Sequence, residues 1–193
     1  AGTGTVTMDG AIGGTDGIGV LTLIQSGGAT FRDSVTAATV TLTDTTDAAT
    51  IAFNGSVTTP TLTTANQGYN VSLLAGGTVT DAVDFLNTGT VTIGDASTDS
   101  FTFSGGVATT GNSSNPSQVN LAGTVASSGA AIAMGAVTLD AATETDSGNG
   151  AGGTIALGAV TAQGHSLTLD SGSTAGATLD LASMADLSGG LTV

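Results

Sequence analysis

The chain has no cysteine, which removes disulfides, thiolate metal sites and cysteine nucleophiles together. Tryptophan is also absent and aromatic residues make up only 3% of the sequence. The core is therefore expected to be an unusual one, and platforms on which a sugar ring stacks are scarce. Positive charge is nearly missing: Arg32 is the one basic residue besides His165, against 15 acidic residues and a formal net charge of −14. One guanidinium cannot build a phosphate-binding face, so nucleic acid is excluded as a partner. An anionic membrane surface is disfavoured on the same ground, while divalent cations are attracted. No apolar run reaches membrane-spanning length, so no membrane insertion is expected. Helix-favouring surface residues are scarce, with Glu144 the single glutamate, and long helices are not expected.

What remains is aliphatic and small. The hydrophobic fraction is 39%, glycine occupies 31 positions, and threonine fills about a fifth of the chain. Mean hydropathy is +0.35, above the range of chains that stay disordered. At 193 residues the chain is long enough for a real core, and no shift in composition divides it, so 1–193 reads as one domain or as a segment of a longer repeat protein. It opens "AGTGTVTMDG", without an initiator Met or a charged-then-apolar leader, as expected of a mature or excised segment of an exported protein.

The recurring unit is an apolar-polar-apolar triplet. Val40-Thr41-Leu42, Ile51-Ala52-Phe53, Val71-Ser72-Leu73, Val91-Thr92-Ile93, Phe101-Thr102-Phe103 and Val119-Asn120-Leu121 are examples, and the series runs on to Leu191-Thr192-Val193. This period of two places the apolar pair on one face of a strand. Glycine pairs such as Gly27-Gly28, Gly76-Gly77 and Gly105-Gly106 punctuate the triplets as tight turns. One segment is written twice: Ile132-Ala-Met-Gly-Ala-Val-Thr138 returns as Ile155-Ala-Leu-Gly-Ala-Val-Thr161, an offset of 155 − 132 = 23 residues.

Two all-β architectures fit such a pattern. An antiparallel β-sandwich needs strands of five or six residues, and pairings of three would hold it weakly. A β-solenoid uses very short strands, glycine at its bends and one coil for every 20–25 residues or so. The solenoid is the expectation, with about eight or nine coils stacked about 4.8 Å apart. Stacking also explains the low charge, since like charges repeated at that spacing repel. "TTGNSSNPSQ" (109–118) and "TETDSGNGAGG" (143–153) read as loops protruding from one corner.

"VNLAGTVASSGAAIAMGAVTLDAAT", "GGTIALGAVTAQGHSLTLDSGS" and "DFLNTGTVTIGDASTDSFTFSGG" resemble the β-strand repeats of giant bacterial surface proteins: filamentous-haemagglutinin-like exoproteins and autotransporter passenger domains. The resemblance covers nearly the whole chain, most clearly from residue 78 onwards. It implies a right-handed parallel β-helix, secreted to the cell surface as an adhesin stalk, surface layer or fibre. Its partners would be further copies of itself, end to end or laterally, or surface glycans. It implies no catalytic residues.

Each candidate site has a plainer reading beside it. A serine nucleophile would have to use His165, near Asp170 and Ser171, but no nucleophile elbow surrounds a serine. Asp81/Asp84, Asp95/Asp99 and Glu144/Asp146 are spaced as acid/base pairs of a polysaccharide-cleaving β-helix, yet solvated turn carboxylates explain them equally simply. Calcium is the one cofactor considered, with Asp16, Asp95 and Asp99 as candidate ligands; neither the glycine-rich nonapeptide nor the EF-hand spacing is met. Thr-x-Thr pairs at 5/7, 39/41/43, 59/61/63, 78/80 and 90/92 suit an ice-binding face, although threonine also fills outward strand positions generally. Asn54, Asn70 and Asn112 begin glycosylation sequons, as a Ser/Thr-rich chain does by chance. The expectation is a non-enzymatic solenoid.

Overall fold

The computed structural model describes residues 2–193. Among these residues twenty strands and no helix form three walls wound round one apolar interior, and every named pairing is parallel. This is a β-solenoid of about eight turns. The first wall is traced by one inward column: Val6, Ala29, Ile51, Val71, Val91, Val119, Val137, Val160 and Met184, each paired with the next. With adjacent strands about 4.8 Å apart, nine levels give a rod close to 40 Å long.

The second wall stacks Val35, Val57, Gly77, Phe101, Val125, Thr145 and Leu169. The third carries Leu21, Val40 and Leu62 low in the rod, then Val107, Ile132, Ile155 and Leu179 above. Alternation therefore does what a period of two requires, with Val, Ile, Leu and Phe inside and Thr, Ser, Ala and Asn outside. Phe31 and Phe53, on adjacent levels, stack with ring centroids 4.6 Å apart and planes 9° from parallel.

The duplicated segment is one coil placed on another. Ile132 pairs Ile155, Met134 pairs Leu157, and Val137 opens the next wall against Val160. Two local readings are revised. Thr143–Asp146 is not loop: Val137–Asp146 is a ten-residue strand that turns a corner, and its second half pairs with Leu167–Asp170. The two long connections also leave different corners. The segment 109–117 joins third wall to first, and 147–154 joins second wall to third.

Nor does 109–117 stand free of the rod. Ser114 Oγ donates to Leu86 O at 2.6 Å and Ser117 N donates to Gly89 O at 2.9 Å, folding the loop back on the coil below. Hydroxyls point inward at several corners, where they satisfy backbone carbonyls the ladder leaves over. Ser127 Oγ donates to Ala130 O and Ser147 Oγ to Gly153 O, both at 2.6 Å.

Candidate functional site

Two kinds of feature stand out on this surface: a pair of outward columns without charge, and corners that gather many of the carboxylates. On the first wall the outward column beside the core valines reads Thr7, Thr30, Ala52, Ser72, Thr92, Asn120, Thr138, Thr161 and Ala185. On the other side of those valines lie Thr50, Asn70, Thr90 and Gln118, and further up Ala159 and Ser183. None of the 15 acidic residues falls in either column. Side chains here bond along the axis. Asn70 Oδ1 accepts Thr90 N at 2.8 Å, and Gln118 Nε2 donates to Thr138 Oγ1 at 3.0 Å.

The second wall begins in the same way, with Thr36, Thr58, Thr78 and Thr102 in one rank. The rank then passes through Ala126 to Asp146 and Asp170. Both carboxylates are tied into their own turns, Asp146 Oδ1 accepting Gly148 N and Asp170 Oδ1 accepting Gly172 N, each at 2.7 Å. The Thr-x-Thr pairs are spread over the molecule. Thr5/Thr7 and Thr90/Thr92 lie on the first wall, and Thr39/Thr41 stack on Thr61/Thr63 on the third. Thr59 points inward, its Oγ1 bonded to Thr61 O.

The calcium candidates divide. Asp95 and Asp99 share the turn 94–99, where Asp99 Oδ2 accepts the N–H groups of Asp95 at 2.9 Å and Ala96 at 2.8 Å. Desolvation in this turn, and then the facing Asp99 carboxylate, raise the pKa of Asp95 above its ordinary value. Asp16 lies in a different corner, on the lowest coil, exposed at the edge of an open groove lined by Ile18, Thr36, Ala37, Thr58 and Pro60. The fold does not bring the three together, and among the described residues no three His, Asp or Glu side chains form a metal-binding group.

The acid/base pairs are equally dispersed. Asp81 accepts Thr61 Oγ1 at 2.6 Å, Asp84 is exposed on the third wall, and Glu144 and Asp146 are successive outward residues of one strand. Asp170 serves its own turn instead of His165, which is half-buried at a corner with its backbone N–H on Ala162 O.

Among the described residues Tyr69 is the one ionisable side chain held deep inside. Its hydroxyl donates to Leu42 O at 2.7 Å and accepts Ala65 N at 2.9 Å, fastening two successive coils at one corner. Burial, partly offset by the Ala65 N–H and reinforced by the Asp44 charge, pushes its pKa up to about 12. Arg32 reaches Asp9, one coil below, with Nη1 2.9 Å from Oδ1. The 23-residue separation of Asp9 from Arg32, one coil, is the signal in the sequence for that contact.

No protein-family model matches the chain, and the searches of curated proteins and of solved structures return no match.

Proposed function

We propose that this chain is a non-enzymatic, exported structural protein: a rigid solenoid segment of a stalk or surface fibre, continued at its ends by further coils of the same kind. The observation that carries this reading is the unbroken parallel ladder, whose terminal coils leave apolar side chains in solvent. At the lower end Val20 is 62% and Ile24 70% exposed; at the upper end Val193 is 79% exposed. Strand edges offering unpaired N–H and C=O groups beside apolar side chains recruit another strand, and solenoid repeats gain most of their stability from the neighbour above or below. Further coils come from a second copy or from the same polypeptide.

The neutral first wall supports lateral association as well. Two copies of a chain charged at −14 approach with least repulsion through the two outward columns of this wall, which carry no carboxylate. A cysteine-free, acidic chain suits the cell exterior, where a stalk of this kind would present surface glycans with a binding partner.

Electron microscopy of the purified chain tests the assembly. Rods or filaments several times the length of one solenoid are expected, more abundant as salt screens the charge. Compact dispersed particles at every concentration and ionic strength would sink the structural reading. The same wall gives ice binding its one foothold, and thermal hysteresis that disappears on Thr92→Lys would favour that function instead.

A further inference from the structure

Asn-Gly occurs twice in the chain, at Asn54-Gly55 and Asn149-Gly150, and in both the asparagine is exposed. This dipeptide is chemically labile, because a following residue without a β-carbon leaves its amide nitrogen open to the asparagine side chain. The fold treats the two copies differently. Asn149 Oδ1 accepts Ser173 N at 2.9 Å and Ser173 Oγ at 3.2 Å, which pins the side chain against the next coil. Among the described residues neither the Asn54 side-chain amide nor the Gly55 N–H enters a hydrogen bond.

Glycine at 55 is imposed by the coil below. A β-carbon there would overlap the Asp33 backbone and lie 2.6 Å from Ser34 N, so this corner keeps a labile dipeptide. The surroundings are also singular. Phe31 pairs Phe53 and Met8 pairs Phe31, so positions 9, 32 and 54 form one column: Asp9, Arg32, Asn54. The only strong cation of the chain stands one level below Asn54, bonded on its far side to Asp9. The other nearby carboxylate, Asp33, is occupied by Ser34 N at 2.7 Å.

We propose that Asn54 is a self-modification site, converted without an enzyme to a carboxylate that completes an Asp9–Arg32–Asp column. The Gly55 amide gives its proton to a solvent base and its nitrogen attacks Asn54 Cγ. A C–N bond forms, the bond from Cγ to the side-chain nitrogen breaks, and that nitrogen takes a proton back from the solvent and leaves as ammonia. Water then opens the cyclic imide at either carbonyl, giving aspartate or isoaspartate, and no electrons are transferred. The charge falls by one unit, and the new anion joins the column of Arg32.

The test is incubation of the folded protein in mildly alkaline buffer, followed by peptide mapping with a protease that does not need lysine. The peptide holding residue 54 should gain a single mass unit at least several-fold faster than the peptide holding residue 149. In urea, where the fold no longer distinguishes them, the two should convert at similar rates. Equal conversion in the folded state, or an Asn54 that reacts only in urea, overturns the proposal. The column has its own readout: Asn54→Asp should hold or raise the melting temperature, and should lower it when Arg32→Gln is also present. A loss of equal size in both backgrounds overturns the role given to Arg32.

Discussion

Gly158 donates its amide to Gly135 O at 3.1 Å, and a β-carbon on Gly158 would sit 2.6 Å from that same oxygen. Gly135 occupies the equivalent corner one coil below, and a β-carbon there would find only Thr109 O, at 3.7 Å. Neither glycine needs a left-handed backbone, so it is closeness between coils that demands glycine, and only at 158. Gly158→Ala should cost about 1–3 kcal/mol as an overpacked site, whereas Gly135→Ala should stay within about 0.5 kcal/mol in a urea titration. Tyr69→Phe removes both bonds of the buried hydroxyl but leaves Ala65 N on Leu42 O at 3.0 Å, and should cost about 0.5–1.5 kcal/mol. Because folding raises the Tyr69 pKa from 10.0 to about 12, the folded state holds its proton longer than the unfolded chain does. The tyrosine's contribution is thus complete below pH 10 and drains away toward pH 12, so the melting temperature of the native chain should fall across that window more steeply than that of the Phe variant. Asp95 works in the same sense near the acid end. Its raised pKa makes the folded state the better proton binder, so its contribution is lost as pH rises through the carboxylate range. Asp95→Asn should raise the melting temperature slightly at neutral pH and leave it unchanged in acid.

Short elements were legible because the triplets obey a period of two with little interference. Val71-Ser72-Leu73 and Val91-Thr92-Ile93 pair residue for residue, and the duplicated segment gave its register directly, 132 beside 155. Strand length was harder to read. Gln118–Ala126 and Val137–Asp146 pass through a corner without breaking, the first with a register shift between Leu121 and Gly123 where it meets the second. A single Gly inside a small-residue run looks alike whether it ends a strand or bends it. The inward hydroxyls escaped for a related reason: Ser127 and Ser147 resemble surface turn residues until the corner closes over them. The long connection 109–117 is an ornament by the same logic. One coil higher, Gly135 and Ala136 alone cross the same corner. Replacing 110–117 with a single Gly, so that Gln118 stands where Ala136 does, should therefore preserve the circular dichroism spectrum, and the loss of the Ser114–Leu86 bond should cost about 1 kcal/mol in the melt.

At the scale of the molecule, sequence pattern carried the architecture because every coil repeats one instruction: apolar inward, small and neutral outward, glycine where coils crowd. It carried much less about sites, since carboxylates that look paired along the chain, such as Glu144 and Asp146, turn out to be neighbours on an open wall. The parallel ladder also has a mechanical consequence. Its hydrogen bonds lie along the rod, so a pull on the two ends loads every coil in series. When one coil lets go, about 22 residues are released, worth about 75 Å of extended chain at roughly 3.4 Å per residue, in place of a rise of about 4.8 Å. A single molecule stretched from its ends should lengthen in a staircase of such steps, a tether that yields by unspooling and absorbs a tug before it snaps.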